Sequence, residues 1–277
     1  VFTGPQSRID AGPVSKAMKK LAILLALIPV CAFAQKPTVI NFKDKNGEMK
    51  LDNISSLSFR VTGAETRHFV ALGKQLHGSW NTLKLSLSAS KIEGDAKGTA
   101  KGLELQNATV TGDVHLTLVR GTQEIHARAQ AAKLSPKGGS MHVTLSGGVV
   151  LDSQDPTLGQ SLHATGETGV IDVDQASGMG KASLDGAVST TVTRTLPSRA
   201  KAHLTSKSDH LILDRLAEPA TITFIGDVHI SGDDPALAGD MDAGKVIVTL
   251  DEKGQPVAID ATGEPGVTSL RKQGGGA

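Results

Sequence analysis

A short pattern centred on glycine recurs along the chain, and this repeat constrains the fold more than any other feature. Each copy has an apolar residue two positions before the glycine, and most have a valine two positions after it. The central glycines are Gly112, Gly147, Gly186, Gly226 and, in a weaker copy, Gly263. Their spacings are 35, 39, 40 and 37 residues. A near-constant period in this range indicates stacked supersecondary units.

Apolar and polar residues alternate around each glycine, which predicts strands with one buried face and one wet face. The segments between the glycine strands are rich in small and polar residues and end in turns such as Ser135-Pro-Lys-Gly-Gly139. No helical spacing follows residue 34, so we expect an all-β chain. The predicted apolar strip comprises Val114, Leu116, Val143, Leu145, Val149, Leu151, Ile222, Phe224, Val228 and Ile230.

By simple alternation, the central glycines also fall on the apolar face. A position without a side chain lets a sheet bend sharply or lets another backbone come close. Glycines stacked at one level would then form a crease along the molecule. We therefore predict a folded-over antiparallel sheet, shaped like a taco shell and extended like a solenoid from stacked repeats.

The segment that starts at Met18 is typical of an export signal. Two lysines are followed by the apolar run from Leu21 to Val30 and then by Ala32-Phe33-Ala34. We expect cleavage after Ala34 and a mature chain outside the cytoplasm. A lipid anchor on Cys31 and an uncleaved membrane anchor are the alternatives.

The expected organisation has five parts. Residues 1–17 are interpreted as an over-extended start, 18–34 as the signal peptide and 35–79 as a divergent N-terminal β cap. Residues 80–265 hold the repeats, and 266–277 are expected to be a disordered tail.

Composition excludes several classes of function. The formal net charge is +1, which gives no electrostatic case for nucleic acid. Cleavage after Ala34 would remove the single cysteine, so we expect no disulfide and no thiolate metal site. No catalytic triad order, phosphate loop or dinucleotide fingerprint is present. We therefore predict neither catalytic residues, nor a metal, nor a cofactor.

The repeat resembles the OstA-type proteins of lipopolysaccharide transport over roughly residues 80–265. The resemblance is carried by Ala243-Gly-Lys-Val-Ile-Val-Thr-Leu-Asp251, by Ala129-Gln-Ala-Ala-Lys-Leu-Ser135 and by the Gly-Asp-Val-His segments at Gly112 and Gly226. It implies a periplasmic β-jellyroll. This chain is longer than a minimal bridge protein of that family and has no tyrosine.

In that family, lipid acyl chains lie in an apolar slot at the open edge of the folded sheet. The resemblance therefore implies a periplasmic protein that binds lipopolysaccharide or a similar amphiphilic lipid and helps to move it to the outer membrane. It also implies partners of the same fold, or further copies of the chain, joined through terminal strands. The predicted apolar strip would form the groove.

Two other functions stay open at this stage. An exported structural or adhesive β-repeat protein would seal the same apolar face as a core and hold no ligand. An enzyme on a β-solenoid, such as a polysaccharide lyase or hydrolase, would need clusters of acids and bases with aromatic sugar platforms. Aromatic residues make up only 3% of the chain and Tyr is absent, so the enzyme is disfavoured.

Recurring histidines and paired aspartates are candidate metal ligands. His115 and His229 occupy equivalent repeat positions, and His126, His163 and His203 recur in the second strands. No two of them have the tight spacing of a zinc motif, so we expect solvated or hydrogen-bonded side chains. The aspartate pairs at 233–234 and 240–242 lack the spacing of calcium-binding β-rolls, so they are expected to solvate loops.

Overall fold

The described part of the chain belongs to one unit, formed by residues 35–277. The computed structural model describes residues 38–44, 47–174, 178–196, 198–234, 239–252, 254, 256–263 and 267–270. The predicted over-extended start, signal peptide and lipid-anchor cysteine, and residues 271–277, lie outside the described residues.

Within the described ranges the chain forms fifteen strands and no helix, which confirms the all-β prediction. The strands are β1 (Thr38–Asp44), β2 (Gly47–Ile54), β3 (Ser56–Val61), β4 (Thr66–Trp80), β5 (Leu85–Thr99), β6 (Gly102–Arg120), β7 (Gln123–Lys137), β8 (Ser140–Asp155), β9 (Gln160–Asp174), β10 (Gly178–Thr195), β11 (Lys201–Asp214), β12 (Thr221–Gly232), β13 (Gly239–Leu250), β14 (Pro256–Thr262) and β15 (Val267–Leu270).

All the described strands belong to one sheet, most of them in an antiparallel meander that follows chain order from β4 to β14. Strand β3 pairs with one half of β4, and β2 pairs with the other half. Strand β1 pairs with β2 and also meets β6 in parallel, with Phe42 opposite Leu103. The sheet is continuous across the predicted boundary between residues 79 and 80, because β4 pairs with β5 up to Trp80. Strand β15 lies in the predicted tail and pairs with β13.

A column of β-bulges crosses the sheet at the repeat glycines. In β6, β8, β10 and β12 the pairing register shifts where the glycine lies, and two residues face one residue of a neighbouring strand. Thr111 pairs with Ala131 and Val114 with Ala129, so Gly112 and Asp113 together face Gln130. Each repeat therefore consists of one bulged strand and one regular strand.

The prediction that these glycines lie on the apolar face is wrong. Gly112 and Gly147 are exposed, with φ angles of +83° and +85°. A Cβ atom on Gly112 would lie 2.8 Å from the Cβ atom of Ser90, which is an exposed residue. The extra residue of a bulge breaks the strict alternation of faces and turns the glycine outward.

The apolar residues that flank the bulges form one buried cluster. The described residues form one sheet and no helix, so this cluster consists of the inward side chains of that sheet. The N-terminal strands fill this interior with large side chains: Trp80, Phe42, Phe69 and Leu76 are at most 1% exposed. The Phe42 and Phe69 rings pack with their centroids 5.0 Å apart. This part of the core is sealed.

Candidate functional site: an apolar cavity with an arginine rim

The C-terminal half of the interior holds a large cavity. Its volume is about 1370 Å³, and its wall comes mainly from β7 to β14 with their turns. Leu184, Leu211, Phe224 and Val248 belong to the apolar lining, and each is at most 7% exposed. These side chains give the cavity an apolar inner wall.

Small and polar inward residues explain why the interior is not filled here. Strand β10 places Ala182 and Thr190 on the buried face, and β11 places Ser206 beside Thr190. The Thr190 and Ser206 hydroxyls form a hydrogen bond to each other. These side chains are much smaller than the Trp80 and Leu87 side chains that are buried in β4 and β5. Protein interiors are otherwise close-packed, so the deficit in side-chain volume leaves a cavity.

A hydrogen bond joins two distant strands at the rim of the cavity. The Nη1 atom of Arg215 donates to Oε1 of Gln123 at 2.8 Å. Arg215 follows β11, and Gln123 begins β7, 92 residues earlier. The Gln123 amide nitrogen donates in turn to the Ser153 hydroxyl at 2.8 Å. The contact thus links two turns that border the same opening.

Arg215 lies in an unfavourable environment for a cation. Burial lowers the pKa of its guanidinium, and the nearby positive charge of Arg120 lowers this pKa further. The carboxylate of Asp155 opposes both effects. Arginine keeps its charge in proteins, so the lowered pKa reports that a positive charge is held at a partly desolvated rim.

Another arginine at the rim is neutralised by an ion pair. Nη2 of Arg194 lies 2.5 Å from Oδ1 of Asp234, and these side chains are 19% and 11% exposed. Asp234 follows β12, whereas Arg194 is near the end of β10. The pair therefore joins neighbouring turns at this end of the cavity.

The structure divides the predicted apolar strip between the cavity and the packed core. Leu151, Ile222 and Phe224 line the cavity. The other seven are buried, at most 5% exposed, and do not line it: Val114, Leu116, Val143, Leu145, Val149, Val228 and Ile230.

Several lining residues lie on strands that sequence analysis treated as small and polar. Ile125, Leu204, Leu211 and Leu213 come from β7 and β11, and all four line the cavity. The apolar triplet Leu211-Ile212-Leu213 was the available signal. It was missed because the analysis followed only the strands that carry a central glycine.

The histidines lie on the outer side of the sheet, and most are close to a carboxylate. Nδ1 of His142 is 2.6 Å from Asp172, and Nδ1 of His163 is 2.7 Å from Asp152. His115 and His229 lie within 3.0 Å and 2.7 Å of Asp113 and Asp242. The other pairs are His68–Asp95, His77–Asp52, His126–Glu124 and His210–Asp185.

The ring of His203 instead lies 3.2 Å from the Thr193 hydroxyl. In the described ranges no three histidine, cysteine, aspartate or glutamate side chains are placed to hold a metal ion together. Asp233 accepts a hydrogen bond from the backbone of His203, so it ties one strand end to a turn.

No helix of the described residues could cross a membrane.

Comparisons with known proteins do not identify the site. Neither a family model, nor a curated protein, nor a solved structure matches this chain.

Proposed function

We propose that this chain is a periplasmic lipid-binding protein that takes part in moving lipopolysaccharide, or a related lipid, to the outer membrane. In this proposal the curved sheet is a folded-over β-jellyroll of the OstA type, and no catalytic step is involved. The observation that carries the proposal is the apolar cavity between β7 and β14.

The size and lining of the cavity suit an acyl chain. Its volume of about 1370 Å³ exceeds the ~300–1,000 Å³ that is usual for small-molecule pockets. Shielding a methylene group from water stabilises a complex by about 0.8 kcal/mol. A chain of about ten methylenes can therefore be held without any specific polar contact. Polar residues at the rim leave a headgroup in water.

The two ends of the sheet suit association with other strands. The residues of β14 are exposed or half-buried, and Val257 is 63% exposed. At the N-terminal end, β3 is similarly open, with Val61 66% exposed. Exposed edge strands pair readily with strands of another chain. The proposed partners are β-jellyroll transport proteins or further copies of this chain.

A structural or adhesive β-repeat protein is the second candidate. The sealed N-terminal core, in which Phe42, Phe69 and Trp80 are almost fully buried, favours it. A scaffold of this kind needs no cavity, whereas the C-terminal half has one. The lipid-binding function therefore explains the cavity in the C-terminal half, which the structural function does not.

The proposal is tested by looking for lipid that stays bound to the protein through purification. The protein would be isolated from the periplasm of its host without detergent and examined by native mass spectrometry. We expect masses that correspond to protein with one amphiphilic lipid, and identification of that lipid after extraction with organic solvent. Folded protein that carries no lipid, and takes up none when mixed with lipid A, would favour the structural protein.

The same preparation tests export. We expect the mature chain to begin at Gln35, and N-terminal sequencing would show this. A chain that still begins at Met18 would instead support a membrane-anchored partner in the same transport system.

A further inference from the structure

We propose that Arg120 and Arg215 form a binding site for the anionic headgroup of the lipid whose acyl chain occupies the cavity. This inference rests on the proposed function and adds the class of ligand: an amphiphile with an acyl chain and a head that carries a carboxylate or a phosphate. Both arginines line the cavity. An apolar wall with two cations at its rim is complementary to an anionic amphiphile.

Arg215 is held in place before any ligand binds. Its peptide nitrogen donates to the carbonyl of Gly180 at 2.9 Å. Oδ1 of Asp214 accepts hydrogen bonds from the peptide nitrogens of Leu216 and Ala217, which fixes the following turn. The bond to Gln123 orients the guanidinium. Binding a headgroup would therefore require little ordering of this side chain.

The charges of Arg120 and Arg215 are not compensated by a close carboxylate. Among the described residues, no carboxylate oxygen lies within 4.0 Å of either guanidinium, unlike the Arg194–Asp234 pair. Asp155 attracts Arg215 from farther away. Its Oδ1 atom accepts hydrogen bonds from the peptide nitrogens of Thr157 and Leu158. Asp155 therefore holds the turn between β8 and β9, and it also accepts a hydrogen bond from the Thr122 hydroxyl.

Acidic residues elsewhere on the rim restrict where an anion can bind. Glu218, Asp251 and Glu252 also line the opening, on the β11–β12 and β13–β14 turns. An anionic headgroup is therefore expected beside Arg120, on the β6–β7 side, and not across the whole opening. The arginine fork supplies paired N–H donors that match a carboxylate or phosphate.

Two ligands with the same tail test this inference. The probes are 11-(dansylamino)undecanoic acid and its methyl ester, which differ in the charge of the head. For the wild-type protein we expect the acid to bind about tenfold more tightly than the ester, or better, in fluorescence titrations. Arg215→Gln and Arg120→Gln should each reduce this preference, because the loss of acid affinity should exceed any loss of ester affinity. Arg215→Lys, which keeps the charge, should retain part of the preference.

Controls separate this site from its alternatives. Lys207→Gln removes an exposed charge that does not line the cavity, and it should leave both affinities unchanged. Inorganic phosphate at millimolar concentration should compete only weakly, because it has no acyl chain. Strong competition by phosphate alone would contradict a headgroup site that depends on the tail.

Equal wild-type affinity for acid and ester would overturn the headgroup site but leave the lipid cavity intact. Absence of binding by either probe would overturn both.

Discussion

Gln130 of β7 lies so close to Gly147 of β8 that a Cβ atom on the glycine would be 2.7 Å from the Cβ atom of Gln130. The φ angle of Gly147 is +85°, which L-residues rarely adopt. The next residue, Gly148, has a φ angle of +79° and no neighbouring atom within 4 Å of a Cβ position. The two glycines of one bulge thus have similar backbones and different surroundings.

Replacing Gly147 with alanine should destabilise the protein more than the same change at Gly148. We expect about 1–3 kcal/mol for Gly147→Ala, since strain and a close contact combine. Gly148→Ala should cost less, because other repeats hold Asp113, Ala187 and Asp227 at this position with positive φ angles. Urea denaturation of both variants measures the difference. Equal losses would contradict the account of the bulge.

Filling the cavity should block ligand binding without unfolding the protein. Ala182 lines the cavity, whereas Ala132 is buried in the packed core and does not line it. We expect Ala182→Phe to leave the free energy of unfolding nearly unchanged and to abolish binding of a dansylated fatty acid. Ala132→Phe should cost about 1–3 kcal/mol through overpacking. Equal destabilisation by the two changes would mean that the cavity has no usable space.

The carboxyl group of Asp95 should titrate at a lower pH than an ordinary aspartate. The side chains of His68 and Asn107 hydrogen-bond to its oxygens at 3.1 Å and 3.2 Å, and the first of these contacts lowers its pKa most. A lowered pKa in the folded state stabilises the protein above the unfolded value of about 3.9, and the effect is lost as the pH falls through the folded value. Because the Asp95 side chain is 39% exposed, the contribution to stability is expected to be small.

Carbon-detected NMR titration of the Asp95 carboxyl measures this pKa directly. His68→Ala should raise it toward the ordinary value. An unchanged titration in that variant would show that His68 is not the cause.

The strands were predictable because their signal is local. A period of two is visible in segments such as Met141–Leu151, and Val143, Leu145 and Val149 are indeed buried. Alternation could not predict which face the glycines take, because the extra residue of a β-bulge interrupts the alternation at the glycine itself. The register shift between β7 and β8 places Gly147 beside the exposed Gln130 side chain.

The position of the cavity depends on packing across the whole interior. Ala182, Thr190 and Ser206 are ordinary inward residues when β10 and β11 are considered alone. The cavity depends on all the strands that line it, mainly β7 to β14. The Arg215–Gln123 contact joins residues 92 positions apart, and no repeat or motif in the sequence indicates it.

Photo-crosslinking inside the cavity tests the central claim, lipid binding in the C-terminal half, most directly. A benzoylphenylalanine would replace Ile222, which lines the cavity, or its neighbour Thr223, which does not. A third variant would place it at Leu145, which is 0% exposed in the packed core and does not line the cavity. Circular dichroism would confirm that each variant is folded.

After irradiation with lipid A, we predict a covalent lipid adduct at position 222 and none at 223 or 145, because successive side chains of a strand point to opposite faces. Capture at position 145 as strong as at 222, or no capture at 222 by folded protein, would contradict the account.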